Sequence, residues 1–173
     1  MKNFSISVLT DQFPRNPLKE LPPYMHFQCI TTHMSSVGQT PVVQTHSMEV
    51  LHSALVSAYK SIIPLPVYMY HDNHSWHLTT SAYERNNDEL IGYIFVVKGA
   101  YKKAHGIKSL TAPAQVKILR QLMYHLSRYD QFINNGVKMI SLQCDGKTQI
   151  IQNLYDLQDI RQEVEIYLDG MEQ

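Results

Sequence analysis

Apolar and polar positions alternate along this chain with two periods, and the places where the period changes mark its elements. Residues 4–9, "FSISVL", alternate at period two and predict a short strand. "DQFPRNPLKELPP" follows with four of the chain's eight prolines. It can be neither helix nor central strand, because proline lacks an N–H and restricts the residue before it. We read residues 11–23 as an extended arm. Tyr24 to Thr32 is strand-like again, and a loop of small polar residues leads to a helix near 47–62. Thr45 or Ser47 can cap that helix, and Glu49 faces the positive end of its macrodipole. Val50, Leu51, Leu55, Ala58 and Ile62 recur at helical spacing. Pro64 and Pro66 are expected to stop it.

"PVYMY" and "SWHLTTSAY" are both β-prone and flank Asp72-Asn73, a pair suited to a two-residue turn, so we expect a hairpin there. That register opposes His71 to His74 and Tyr68 to His77. Residues Leu90 to Val97, "LIGYIFVV", are apolar at both alternating positions, as in a strand covered on both faces, and form the candidate sheet centre. The most regular helix runs over 112–130, capped by Thr111. Val116, Leu119, Leu122, Met123 and Leu126 share one arc with Ile118 and Tyr129 at its edge; Lys117, Arg120, Gln121, Tyr124, His125, Ser127 and Arg128 fill the other. "VKMISLQC" and "KTQII" pair around Asp145-Gly146, and a last helix over 156–168 is closed by Gly170. The expected fold is α+β: an antiparallel or mixed sheet built from hairpins with about three packed helices, in a single domain over 1–173.

Composition changes this picture little: 44% hydrophobic residues describe a chain that folds on an apolar core. Cys29 and Cys144 are too few for a disulfide framework and lack a CxxC spacing, so we read both as buried or strand-end thiols in a reducing compartment. The start lacks the continuous apolar core of a signal peptide, and no apolar run approaches the roughly 18 residues of a membrane span. A cytoplasmic protein is the expectation, in host cytoplasm if a mobile element encodes it.

Charge changes the picture more. Lys98, Lys102, Lys103, Lys108, Lys117, Arg120 and Arg128 occur in one segment without a single acid, whereas residues 145–173 hold seven acids against Lys147 and Arg161. A chain of zero formal net charge is therefore dipolar along its length. Tyr101, His105 and Tyr124 interleave with the basic residues, and Gly99 and Gly106 flank what reads as a loop, "GAYKKAHGIK". A basic loop leading to a helix with an aromatic and cations on its polar face has the groups a phosphate-contacting surface requires. Internal pairing with the acidic C-terminal helix is the competing account.

Candidate chemistry is sparse. "DGKTQ" contains the end of a P-loop motif, but Ser141 stands where that loop needs its first glycine. His71, His74 and His77 lie within seven residues. On a hairpin His77 points away from the other two, which leaves His71 and His74 as a two-histidine metal alternative. "HMS" (His33, Ser35) and "HLT" (His77, Thr79) resemble the paired motifs of 2H phosphoesterases. That resemblance implies two histidines as general acid and base on a phosphodiester, with the hydroxyls holding its oxygens. Ser36 and Thr80 stand where the family pattern has a hydrophobic residue. The reading these observations favour is a non-catalytic binding or inhibitor protein, of the kind a phage or mobile element encodes. It would engage nucleic acid or an acidic protein surface through residues 98–128, with no cofactor. A phosphodiester-cleaving enzyme and an oligomer-forming structural protein are the alternatives.

Overall fold

The computed structural model describes residues 4–30, 37–72, 75–81 and 88–171. They form seven strands, four α-helices and a 3-10 turn at Pro17–Glu20: an α+β fold with two antiparallel sheets. The chain divides into two compact units. Unit 2 is the continuous stretch Pro17–Ser127, and unit 1 joins Met1–Asn16 to Arg128–Gln173.

Unit 2 holds a four-stranded sheet in the order β2-β5-β3-β4, built from β2 (Met25–Cys29), β3 (Ile62–Asp72), β4 (Ser75–Thr79) and β5 (Glu89–Val97). The doubly apolar run is central, as its pattern requires: Ile91, Ile94, Phe95 and Val96 are fully buried. Helix α1 (Met48–Tyr59) starts at Ser47, whose hydroxyl accepts from the Val50 N–H, and lays Leu51 and Leu55 on Phe95. The outer edge of β2 is occupied by neighbouring loop residues. Gln39 bonds the Phe27 N–H through its side chain and the Phe27 carbonyl through its own N–H, and the buried Gln28 amide bonds Thr40 and Val42. Gly92 is required where β5 meets β2, because a Cβ there would lie 2.8 Å from the Cys29 Cα and closer still to the Gln28 carbonyl oxygen.

Several expectations are corrected in this unit. Helix α1 ends at Lys60, in positive φ (58°), before either proline; Pro64 and Pro66 lie inside β3, opposite Phe95 and Tyr93. Strand β4 pairs with β3 only from Tyr68 onward, so the prolines occupy a stretch with a neighbour on one side alone, where a missing N–H is tolerated. The hairpin pairs Tyr70 with His77 and His71 with Trp76, two positions away from the register expected from an Asp72-Asn73 turn. A shift of two preserves faces, so His77 still lies with Tyr70 and opposite to His71. The basic stretch expected as a loop is a helix, α2 (Lys98–His105), with Gly106 as its left-handed cap donating back to Lys102 and Lys103.

Helix α3 (Ala112–Ile133) begins at Thr111 and runs from unit 2 into unit 1. Its buried stripe is Ile118, Leu122, Leu126 and Tyr129, rotated from the expected arc; Val116 and Met123 are exposed. Unit 1 holds the sheet β1-β6-β7, from β1 (Phe4–Thr10), β6 (Lys138–Cys144) and β7 (Lys147–Leu154). Asp145 and Gly146, both in positive φ, make the β6–β7 turn as expected. Helix α4 (Leu157–Met171) runs through Gly170 rather than ending there, and packs Ile160, Val164 and Tyr167 on Ile140, Leu142 and Leu154.

A polar latch ties the strand ends of unit 1 together. Asp11 is buried; one carboxylate oxygen accepts from the Phe13 N–H and the other from the Asn153 N–H, each at 3.0 Å. Asn153, in positive φ, accepts from the Arg15 N–H, the Tyr155 hydroxyl donates to the Arg15 carbonyl, and Arg128 lies 4.2 Å over the Tyr155 ring.

Candidate functional site

The basic segment divides between the two units. Lys98, Lys102, Lys103 and His105 are on α2, Lys108 is in the connection after it, and Lys117, Arg120 and Tyr124 are on α3, all in unit 2; Arg128 is in unit 1. Helix α2 has one apolar anchor. Tyr101 is buried, edge-on to Tyr24 at 5.2 Å, and the His105 ring stacks on it at 4.0 Å. Lys98 and Lys102 flank that anchor half-buried, while Lys103 lies on the opposite side of the helix and is exposed. Burial and the Tyr101 hydroxyl both push the Tyr24 phenol up, so it stays protonated at neutral pH.

On α3 the residues that face away from the buried stripe are Lys117, Arg120 and Tyr124, at spacings of three and four, with Val116 and Met123 beside them. This stripe offers two cations, a ring 44% exposed and two apolar contacts. Three of the ten candidate residues differ in position from what a simple basic loop implies. Tyr101 is in the core and presents no face for a base, His105 is spent on Tyr101, and Arg128 covers Tyr155. The backbone N–H of Gly106 closes the end of α2 instead of facing an anion.

The other candidate chemistry finds little support in geometry. His33, Ser35 and His74 lie outside the described residues. His77 stacks on Tyr70 at 5.3 Å, and the Thr79 hydroxyl accepts from the Ser81 N–H, a local turn bond. His71 packs edge-on to Trp76 at 4.9 Å. Among the described residues no three His, Cys, Asp or Glu side chains converge as metal ligands. Cys29 and Cys144 are both buried and unbridged; burial pushes the Cys29 thiol far up, which keeps it protonated and poorly nucleophilic. No described helix is long and apolar enough to cross a membrane.

The chain matches no protein-family model, no curated protein and no solved structure. Sequence reasoning located the basic segment but missed that it is helical from Lys98. The signal available was Tyr101 as a lone apolar position among Lys98, Lys102 and His105, all within one turn of it on the same side of a helix.

Proposed function

We propose that the chain is a non-catalytic binding protein that contacts nucleic acid through the α2–α3 segment of unit 2. One observation supports this above others: Lys103, Lys108, Lys117 and Arg120 are exposed together with Tyr124, and no acid occurs from Lys98 to Arg128. Lysine and arginine neutralise phosphates and release counterions, while an exposed tyrosine ring accepts an unpaired base by stacking. The absence of base-reading carboxylates or amides on the α3 stripe, apart from the half-buried Gln121, favours sequence-tolerant binding.

Four exposed cations imply a log–log salt slope of about −3 for single strands and about −4 for duplex. The test is a titration of labelled single-stranded and duplex oligonucleotides between about 20 and 200 mM salt. The reading expects log-linear weakening with salt. Lys103→Glu, Lys108→Glu and Lys117→Glu together should lower affinity at least tenfold and flatten the slope. No binding at 20 mM salt removes nucleic acid as the partner and directs attention to an acidic protein surface. Undiminished binding by the triple variant shows that another surface carries it.

A further inference from the structure

The outer strands of the two sheets are treated unequally. In unit 2, the edge of β2 is covered by the loop carrying Gln39 and Val42, and β4 is only five residues long. In unit 1, β7 carries Lys147, a register irregularity against β6 and the positive-φ Asn153. These are the ordinary devices that keep a strand edge from pairing with another chain. Strand β1 has none of them. Its seven residues carry no charge and no proline, pair with β6 without a bulge, and are all exposed.

The apolar face of the unit 1 sheet continues onto β1. Phe4, Ile6 and Val8 stand opposite Cys144, Leu142 and Ile140 of β6, the last two buried beneath α4. Phe4 reaches Tyr167 of α4 in a stacked contact at 6.0 Å, but Ile6 and Val8 remain 43% and 52% exposed, because α4 packs over β6 and β7 and stops short of them.

We propose that β1 pairs antiparallel with β1 of a second copy of this chain about a two-fold axis at Ser7, merging two three-stranded sheets into one of six. The strand is self-complementary in that register. Ser7 meets Ser7, Ile6 meets Val8, and Phe4 meets Thr10, so β-branched and aromatic side chains oppose each other twice over, with no charge to be buried. Position i opposes position 14 − i, so every pair keeps its parity and both apolar faces lie on the same side of the joined sheet. A contact between two seven-residue strands is small against the roughly 1,000 Å² that a stable specific interface needs. The dimer is therefore expected to be reversible, with a dissociation constant in the micromolar range. This inference uses unit 1 only and is independent of the nucleic-acid reading.

The experiment is sedimentation velocity of the full chain from about 2 to 300 µM, bracketing that range. The wild type should show a concentration-dependent monomer–dimer equilibrium. Ile6→Lys with Val8→Lys should raise the dissociation constant at least tenfold, and Val50→Lys, at a comparably exposed position on α1, should leave it unchanged. Should the lysine pair disturb folding, cysteine scanning decides the matter. Across the two-fold, opposed Cα atoms at position 7 stand about 4.5–5.5 Å apart, within disulfide range, whereas those at position 5 are about 14 Å apart. Ser7→Cys should cross-link rapidly under mild oxidation and Ser5→Cys should not; the native thiols are buried. A monomer at 300 µM, a dimer that survives in the folded lysine variant, or equal cross-linking at positions 5 and 7 overturns the proposal.

Discussion

Replacing Asp11 by alanine removes the carboxylate that bonds both strand ends in the unit 1 latch. The carboxylate is 5% exposed and satisfies two backbone donors, the Phe13 and Asn153 N–H groups, at 3.0 Å each. A fully buried N–H left without its acceptor costs about 1–3 kcal/mol, but both of these bonds are only partly buried and Phe13 itself is exposed, so water recovers a share of that. The expected loss is therefore about 1–3 kcal/mol, a sizeable share of the roughly 5–15 kcal/mol that hold a typical domain. With a urea dependence of about 2 kcal/mol per molar, the unfolding midpoint followed by circular dichroism should fall by about 0.5–1.5 M with little change in slope. Asp11→Asn keeps one good acceptor and turns an amide NH2 towards the second donor, so it should lose about half as much. A midpoint within about 0.3 M of wild type for Asp11→Ala would refute the argument, since the buried carboxylate would then hold neither strand end.

Gly92→Ala drives a methyl group into the Gln28 carbonyl and the Cys29 Cα, both backbone; it should cost at least about 2 kcal/mol and lower the melting temperature by about 4–8 °C, and an unchanged melting curve would show that β2 and β5 separate freely. His26 lies half-buried between Tyr59 and Phe95, and burial holds its imidazole below the ordinary value of 6.5. The unfolded chain thus takes up this proton first on acidification. Its contribution is fully present above about pH 6.5 and is lost as pH falls towards the folded value. Urea unfolding at pH 8 and pH 5 should show a smaller loss of stability in His26→Gln than in the wild type; equal losses would assign the pH dependence to other groups.

The elements that sequence could place are those whose pattern is decided locally. The β5 run is apolar at both alternating positions and is central, and Ser47 and Thr111 cap the helices that follow them. The β6–β7 turn needed two left-handed residues and has Asp145 and Gly146. What sequence could not place depends on neighbours. Pro64 and Pro66 read as breakers because nothing local reveals that β4 starts too late to need their N–H groups. Helix α2 was hidden because Gly99 and Gly106 suggested a loop, whereas the second is a helix cap and the first sits in a first turn. The buried face of α3 turned out to centre on Ile118 and Tyr129 rather than Val116 and Met123. All four are apolar, and only packing selects among adjacent arcs. For the candidate surface, the run of cations was legible and the fate of Tyr101, His105 and Arg128 was not. Tyr101 is drawn inward by Tyr24 and Arg128 is held over Tyr155, partners distant in sequence, while His105 stacks on Tyr101 only because the stretch is helical.

Building unit 1 from both ends of the chain has a consequence for synthesis. All of unit 2 and its continuous sheet can assemble while the ribosome is still at work, but β1 must wait for β6. About 130 residues separate the two strands, so at roughly 5–20 residues per second the wait is about 6–26 seconds. For that interval a neutral, alternating strand has neither of its edges occupied, and on a polysome the nearest matching strand belongs to the adjacent nascent chain.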